Sequence, residues 1–155
     1  MIKFLLSFAL LAGSMAYASP QGVVHVIDAD TIEVDGQRVR LFGIDAPEVG
    51  QPCVMSGRSA DCGRWARDRV VDRFAGAQAI CIQVDVDRFG RIVATCQVGD
   101  EDMSAVIVRS GWAWAYMRYS DAYALEEKSA ALDGLGLWQF EVQRPEDYRA
   151  TLARG

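Results

Sequence analysis

The stretch VRLFGIDAPE, residues 39–48, decides how the rest of the chain is read. Val39, Leu41, Phe42 and Ile44 make it an apolar strand, yet it carries Arg40 inside and Asp45 and Glu48 at its end, with Pro47 between them. Upstream, QGVVHVIDADTIEVDGQ supplies two more strands. The first covers roughly 22–28, broken at Asp28-Ala29-Asp30, and the second Thr31–Val34. Asp35-Gly36 is a tight hairpin signal leading into the third strand, 38–44. Residues 49–60 read as a Gly/Pro/Ser loop. A helix over 62–75 follows, capped by Asp61 or Ser59, with Trp65, Val70, Val71 and Phe74 on one face.

AICIQVDV (79–86) and RIVATCQV (91–98) are the arms of a hairpin around DRFG (87–90). Met103–Ser110 reads as a short apolar helix, and a further helix spans roughly 122–133 under an Asp121 cap. Five strands with a helix between the third and fourth give an α+β, mainly β, class: a five-stranded OB-type Greek-key barrel with about three helices. The domain expected is 19–140, and 141–155 reads as a loose polar tail containing Pro145.

Residues 1–18 stand apart. Lys3, the apolar run FLLSFALLAG and Ala16-Tyr17-Ala18 form a secretory signal cleaved after Ala18. The apolar run is too short for the roughly 20 residues that a bilayer span needs. The mature protein is therefore expected in the periplasm or secreted, without a membrane anchor. Four cysteines in an oxidising compartment suggest disulfides. An even loop centred on DRFG pairs Val86 with Arg91, which sets Cys81 opposite Cys96 and leaves Cys53 with Cys62. The rival, a metal site, finds no C-x-x-C and only one histidine, His25, which reads as a strand residue without a role.

Removing 1–18 takes away one basic side chain and leaves 15 basic against 21 acidic, a net −6. That balance excludes a protein that holds nucleic acid by bulk charge. A polyanion has to be met locally, by placed arginines or by a metal. Asp30 and Asp45 both fall at strand ends and can meet at one end of the barrel. Two Asp oxygens beside the Ala46 carbonyl, which Pro47 orients, suit a hard cation such as Ca²⁺. Glu48 lies where a general base can face a water, and Arg40 and Arg91 can hold a phosphate. Taken singly each has a plain reading: a turn-forming Asp, a loop Glu, an Arg stem covering apolar surface.

The ordered set D-A-D-T (28–31), R-L-F-G-I-D-A-P-E (40–48) and D-R-F-G-R (87–91), with G-L-G-L-W (134–138) closing it, resembles the staphylococcal nuclease, or thermonuclease, family across about residues 22–138. The resemblance implies calcium-dependent hydrolysis of DNA and RNA, single strands preferred, to 3′-phosphate ends. Asp30, Asp45 and the Ala46 carbonyl match its metal ligands, with Asp28 behind them, and Arg40, Arg91 and Glu48 its catalytic residues. Phe89, Tyr116 and Tyr119 match substrate-contacting aromatics. Ala46 stands where the founding member has threonine, and Phe89 where it has tyrosine. A monomer is expected. The competing reading is a non-catalytic nuclease-like module that binds nucleic acid or another ligand, whose sign would be loss of the Asp, Glu or Arg set.

Overall fold

The computed structural model describes residues 19–154, so the signal segment at 1–18 lies outside the described residues. The chain runs β1 (Gln21–Asp28), β2 (Thr31–Val34), β3 (Gln37–Leu41), β4 (Ile44–Asp45), β5 (Pro52–Met55), β6 (Arg58–Asp61) and α1 (Cys62–Phe74). It continues through β7 (Gln78–Val86), β8 (Ile92–Val98), β9 (Glu101–Asp102), α2 (Met103–Arg109), β10 (Trp114–Ala115) and α3 (Ala124–Leu132). A 3₁₀ turn at Gly136–Gln139, β11 (Glu141–Val142) and α4 (Pro145–Leu152) complete it.

The main sheet has the order β3-β2-β1-β7-β8-β9, and a parallel pairing of β3 with β8 closes β1, β2, β3, β7 and β8 into a five-stranded mixed barrel. This is the α+β, OB-type fold expected, with four helices rather than three. Alternation explains most of the wall: Val24, Ile32, Val34, Val39, Leu41, Ala79, Cys81, Ala94 and Cys96 are all buried between more exposed neighbours, except that Thr31 and Val93 are buried as well. Asp35 and Gly36 both have positive φ, 52° and 68°, which is the twist a two-residue hairpin turn needs. Val70 and Phe74 of α1 and Met103 and Ile107 of α2 complete the same core.

Several expectations need correction. The third strand stops at Leu41: Gly43 takes a positive φ of 73°, and Ile44–Asp45 turns away to pair with Trp114–Ala115 as a separate two-stranded sheet. The loop expected at 49–60 holds a hairpin, β5–β6, to which β11 adds a third strand. The tail is ordered. Pro145 starts α4 at its first turn, with Glu146 and Asp147 beside it, the pattern that favours a helix N-terminus. Asp121 does not cap α3, whose N-cap position is Tyr123 with no side-chain hydrogen bond. In α1 the buried face is Cys62, Gly63, Ala66, Val70 and Phe74, so Val71 does not belong to it, and Asp61 is the cap.

Both disulfides form as expected, Cys53–Cys62 and Cys81–Cys96. The second pairing is right for a reason the sequence hides. Val86 lies opposite Ile92, not Arg91, because the loop closes over 87–91, with the Asp87 amide donating to the Arg91 carbonyl at 3.0 Å. A bulge between Gln83 and Asp85 takes up the extra residue and brings Cys81 back opposite Cys96.

Candidate active site

A groove of about 650 Å³ opens at one end of the barrel, and Asp28, Asp30, Arg40, Glu48, Phe89, Arg91, Tyr116 and Tyr119 all line it. The β2–β3 register sets Arg40 across from Thr31, and the Leu41 amide donates to the Asp30 carbonyl at 2.9 Å. Arg40 can therefore reach back over the β1–β2 turn. Its Nη1 lies 3.0 Å from Asp30 Oδ2, and its Nη2 lies 3.1 Å from Asp45 Oδ1. One guanidinium thus bridges the two aspartates. Asp45 arrives by a different route, through the β4–β10 pairing, in which it faces Trp114.

Both aspartates are nearly enclosed, Asp30 at 6 % and Asp45 at 2 % exposure. Burial pushes the Asp45 carboxyl above its usual range despite hydrogen bonds from arginine. Burial would lower Arg40, but Asp30 and Asp45 together hold it above its ordinary value. Asp28 is also raised, first by burial and then by the neighbouring Asp30 and Glu48. Four carboxylates therefore crowd one end of the barrel, and the arrangement calls for positive charge.

Asp30 is held on both oxygens: Oδ1 accepts from the Thr31 hydroxyl at 2.9 Å, and Oδ2 accepts from the Ala46 amide at 3.0 Å. Ala46 was expected to contribute its carbonyl; the contact it makes here is through its N–H. Glu48 is placed by its backbone. Its amide donates to Gln51 Oε1 at 3.1 Å, and its carbonyl accepts from the Gln51 amide at 2.8 Å. Gly63, in the first turn of α1, lies so close that a Cβ there would stand 1.8 Å from the Glu48 carbonyl oxygen.

Arg91 leaves the DRFG turn just before β8, the strand that pairs in parallel with β3 and its Arg40. Asp87 Oδ1 accepts from the Phe89 and Arg91 amides at 2.9 and 3.0 Å, and Oδ2 accepts from Arg91 Nε at 2.7 Å. Phe89 is 69 % exposed, with the Arg88 and Arg91 guanidiniums 4.8 and 5.6 Å from its ring centre. Tyr116 and Tyr119 stack at 6.5 Å, and the Tyr119 hydroxyl donates to Asp85.

Two functional side chains were not found by sequence reasoning. Arg149 of α4 places Nη1 3.1 Å from Asp45 Oδ1 and 2.8 Å from Glu48 Oε1, and Nη2 2.8 Å from Asp45 Oδ2. Gln51 is fully buried and donates from Nε2 to the Gln143 carbonyl at 2.7 Å, tying the Glu48 loop to the C-terminal segment. The segment was read as a loose tail, and nothing along the chain names the partner of a side chain 101 residues beyond Glu48.

Residues 38–140 match the model of the staphylococcal nuclease homologue family. The chain is 37 % identical over 130 residues to the succinoglycan biosynthesis protein ExoI of Rhizobium meliloti, covering 79 % of this chain and 66 % of that protein. It is 35 % identical over 147 residues to the micrococcal nuclease of Shigella flexneri, covering 83 % of this chain and 79 % of the relative. An uncharacterized endonuclease of Escherichia coli is 35 % identical over 123 residues, covering 75 % of this chain and 74 % of the relative. With a barrel of this order and a family match over well more than half of its length, the chain belongs to the staphylococcal nuclease homologue family.

Proposed function

We propose that the protein is an endonuclease that hydrolyses phosphodiester bonds of DNA and RNA in a calcium-dependent reaction. The observation that carries this reading is the convergence of Asp30, Arg40, Glu48 and Arg91 on one groove from separate chain segments, with Asp45 joined to it through Arg40.

The family is metal-dependent, and the donor set fits a hard cation. Asp30 and Asp45 are close enough to share one guanidinium, and both are buried among further carboxylates, with oxygen donors only. Among the described residues no three His, Cys, Asp or Glu side chains converge as a ready-made metal cage. Asp30 and Asp45 would hold the ion with backbone and water oxygens completing the shell, which suits Ca²⁺ better than a nitrogen- or sulfur-seeking metal. Once bound, the ion supplies charge to polarise a phosphoryl oxygen.

The chain's own residues do the rest. Glu48, half-exposed at the groove, takes a proton from the attacking water. Arg40, on β3, and Arg91, just before the neighbouring β8, grip the phosphate, stabilising the charge that grows on it in the transition state. Asp30 and Asp45 keep Arg40 extended toward the groove. Phe89, Tyr116 and Tyr119 offer rings for base stacking, a contact that favours single strands because their bases are free to stack. We read the protein as a monomer, exported by its signal segment to the periplasm or beyond. The two disulfides fit that compartment. No helix of the described residues is long and apolar enough to cross a membrane.

The test is hydrolysis of single-stranded DNA and of RNA, with calcium or with chelator, by the native protein and Glu48→Gln. Loss of a general base costs about 10²–10⁴-fold. Glu48→Gln is expected to lose turnover on that order while unfolding at the native temperature, and chelator should silence the native protein. Near-native turnover in the variant, or full activity in chelator, would overturn the corresponding assignment.

A further inference from the structure

We propose that Arg149 is a built-in competitor of the metal: its guanidinium occupies the Asp45 and Glu48 carboxylates in the metal-free protein and must leave before a divalent cation can be held there. The proposal rests on the reading of Asp45 as a metal ligand and goes beyond it.

The lone pairs at the site make the conflict concrete. Asp45 Oδ1 already accepts from Arg40 Nη2 and Arg149 Nη1, both at 3.1 Å, and Oδ2 accepts from Arg149 Nη2 at 2.8 Å. Asp30 Oδ2 accepts from the Ala46 amide and pairs with Arg40 at 3.0 Å. An oxygen that accepts two hydrogen bonds has no lone pair left for a cation. Arg40 sits within the barrel wall on β3, and both aspartates hold it. Arg149 reaches the site from outside the barrel, on an eight-residue terminal helix, with its side chain 38 % exposed. Of the two cations on Asp45, Arg149 is the one that can be released.

The fold keeps it near after release. The segment preceding α4 is fastened on three sides. β11 pairs with β5 next to the Cys53–Cys62 bridge, Gln51 binds the Gln143 carbonyl, and Arg144 pairs with Glu127 at 2.5 Å. Arg144 also lies 5.7 and 5.9 Å from the rings of Trp114 and Trp138. Past this anchor the only ion pairs of α4 to the body among the described residues are Arg149 with Asp45 and Glu48, and Glu146 with Arg118 at 3.5 Å. Such a helix can swing on its anchor without unfolding the barrel. The same contact holds Glu48, so the base is freed in the step that opens the metal position.

The test uses the mature, oxidised protein in calcium titrations by calorimetry, at fixed ionic strength, without nucleic acid. Arg149→Gln is compared with Arg154→Gln, which removes one positive charge from the same C-terminal segment, and with Asp45→Asn. If the arginine holds the site in about 90–99 % of metal-free molecules, releasing it tightens calcium binding about ten- to a hundredfold. The expected result is that gain in Arg149→Gln and less than about threefold in Arg154→Gln. In the native protein calcium should also speed amide exchange over 145–152. Equal calcium affinity in the native protein and Arg149→Gln overturns the proposal, as does an equal gain in both arginine variants, which would be bulk electrostatics. Unchanged calcium affinity with about tenfold weaker binding of a short single-stranded oligonucleotide would instead make Arg149 a phosphate ligand and also overturn it. If calcium binds none of these proteins, or binds Asp45→Asn as well as native, the reading of Asp45 as a ligand fails first.

Discussion

Gly63 shows how finely single residues set this site. It belongs to the first turn of α1, and its missing Cβ is what lets the Glu48 carbonyl approach the helix. A methyl there would meet backbone at 1.8–2.6 Å, where no side chain can rotate aside. Overpacking of this kind costs about 1–3 kcal/mol. Gly63→Ala is expected to lower the melting temperature and, by displacing the Glu48 backbone, to reduce kcat more than KM. A variant with native kcat and native melting temperature would show that the loop yields without cost. Arg40, five residues from Asp45, was legible as a site residue because both sit in one short motif. Arg149 was not, because nothing in a solvated-looking Pro-Glu-Asp-Tyr-Arg segment states which carboxylates its guanidinium will meet.

At the scale of elements, the start of α1 carries a clear test. Asp61 Oδ1 accepts from the Arg64 amide at 2.9 Å and from the Gly50 amide at 3.0 Å, so one carboxylate caps the helix and closes the Glu48 loop. Burial alone would raise its carboxyl, but these amides and the Arg64 side chain outweigh burial and lower it below its ordinary 3.8. A depressed carboxylate stabilises the fold above its unfolded value, and that stabilisation is lost as pH falls through the folded value. Asp61→Ala is therefore expected to cost about 1 kcal/mol in urea unfolding at pH 7. The difference between variant and native should shrink as the buffer is taken below pH 3.8. A cost that does not change with pH would mean that the carboxylate's charge is not what stabilises this turn. The DRFG turn is built on the same logic, with Asp87 as hub and Gly90 at φ 79° supplying the one left-handed residue.

For the whole molecule, the net charge of −5 opposes the substrate that the groove is read to bind. Binding has to come from the arginines in the groove other than Arg149, which Asp45 and Glu48 claim, namely Arg40, Arg88 and Arg91, rather than from a long-range field. Three phosphate contacts on a single strand give a salt slope near 0.7 per contact, so affinity should fall about twentyfold between 50 and 200 mM salt. Fluorescence anisotropy of a labelled single strand with Glu48→Gln measures this. A fall of a thousandfold or more would place extra cationic contacts outside the groove. The apolar outer face of β7, with Ile80 and Ile82 exposed, shows that the barrel's charge is distributed without covering its sheet.

The sequence alone determined the barrel, its inward faces and the position of α1, and it proposed the set Asp30, Arg40, Asp45, Glu48 and Arg91. These features are local: alternation, a hairpin turn at Asp35-Gly36, and motifs whose members lie within ten residues of one another. It also named both disulfides, the second through a register whose one-residue error the bulge after Gln83 cancelled. Only the tertiary structure decided that β4 leaves the barrel to pair with β10 and that the C-terminal segment is ordered. Only it placed Gln51 and Arg149 at the working end. Those outcomes depend on contacts between residues about 70 to 100 apart, and no spacing along the chain encodes which buried carboxylate a distant guanidinium will find.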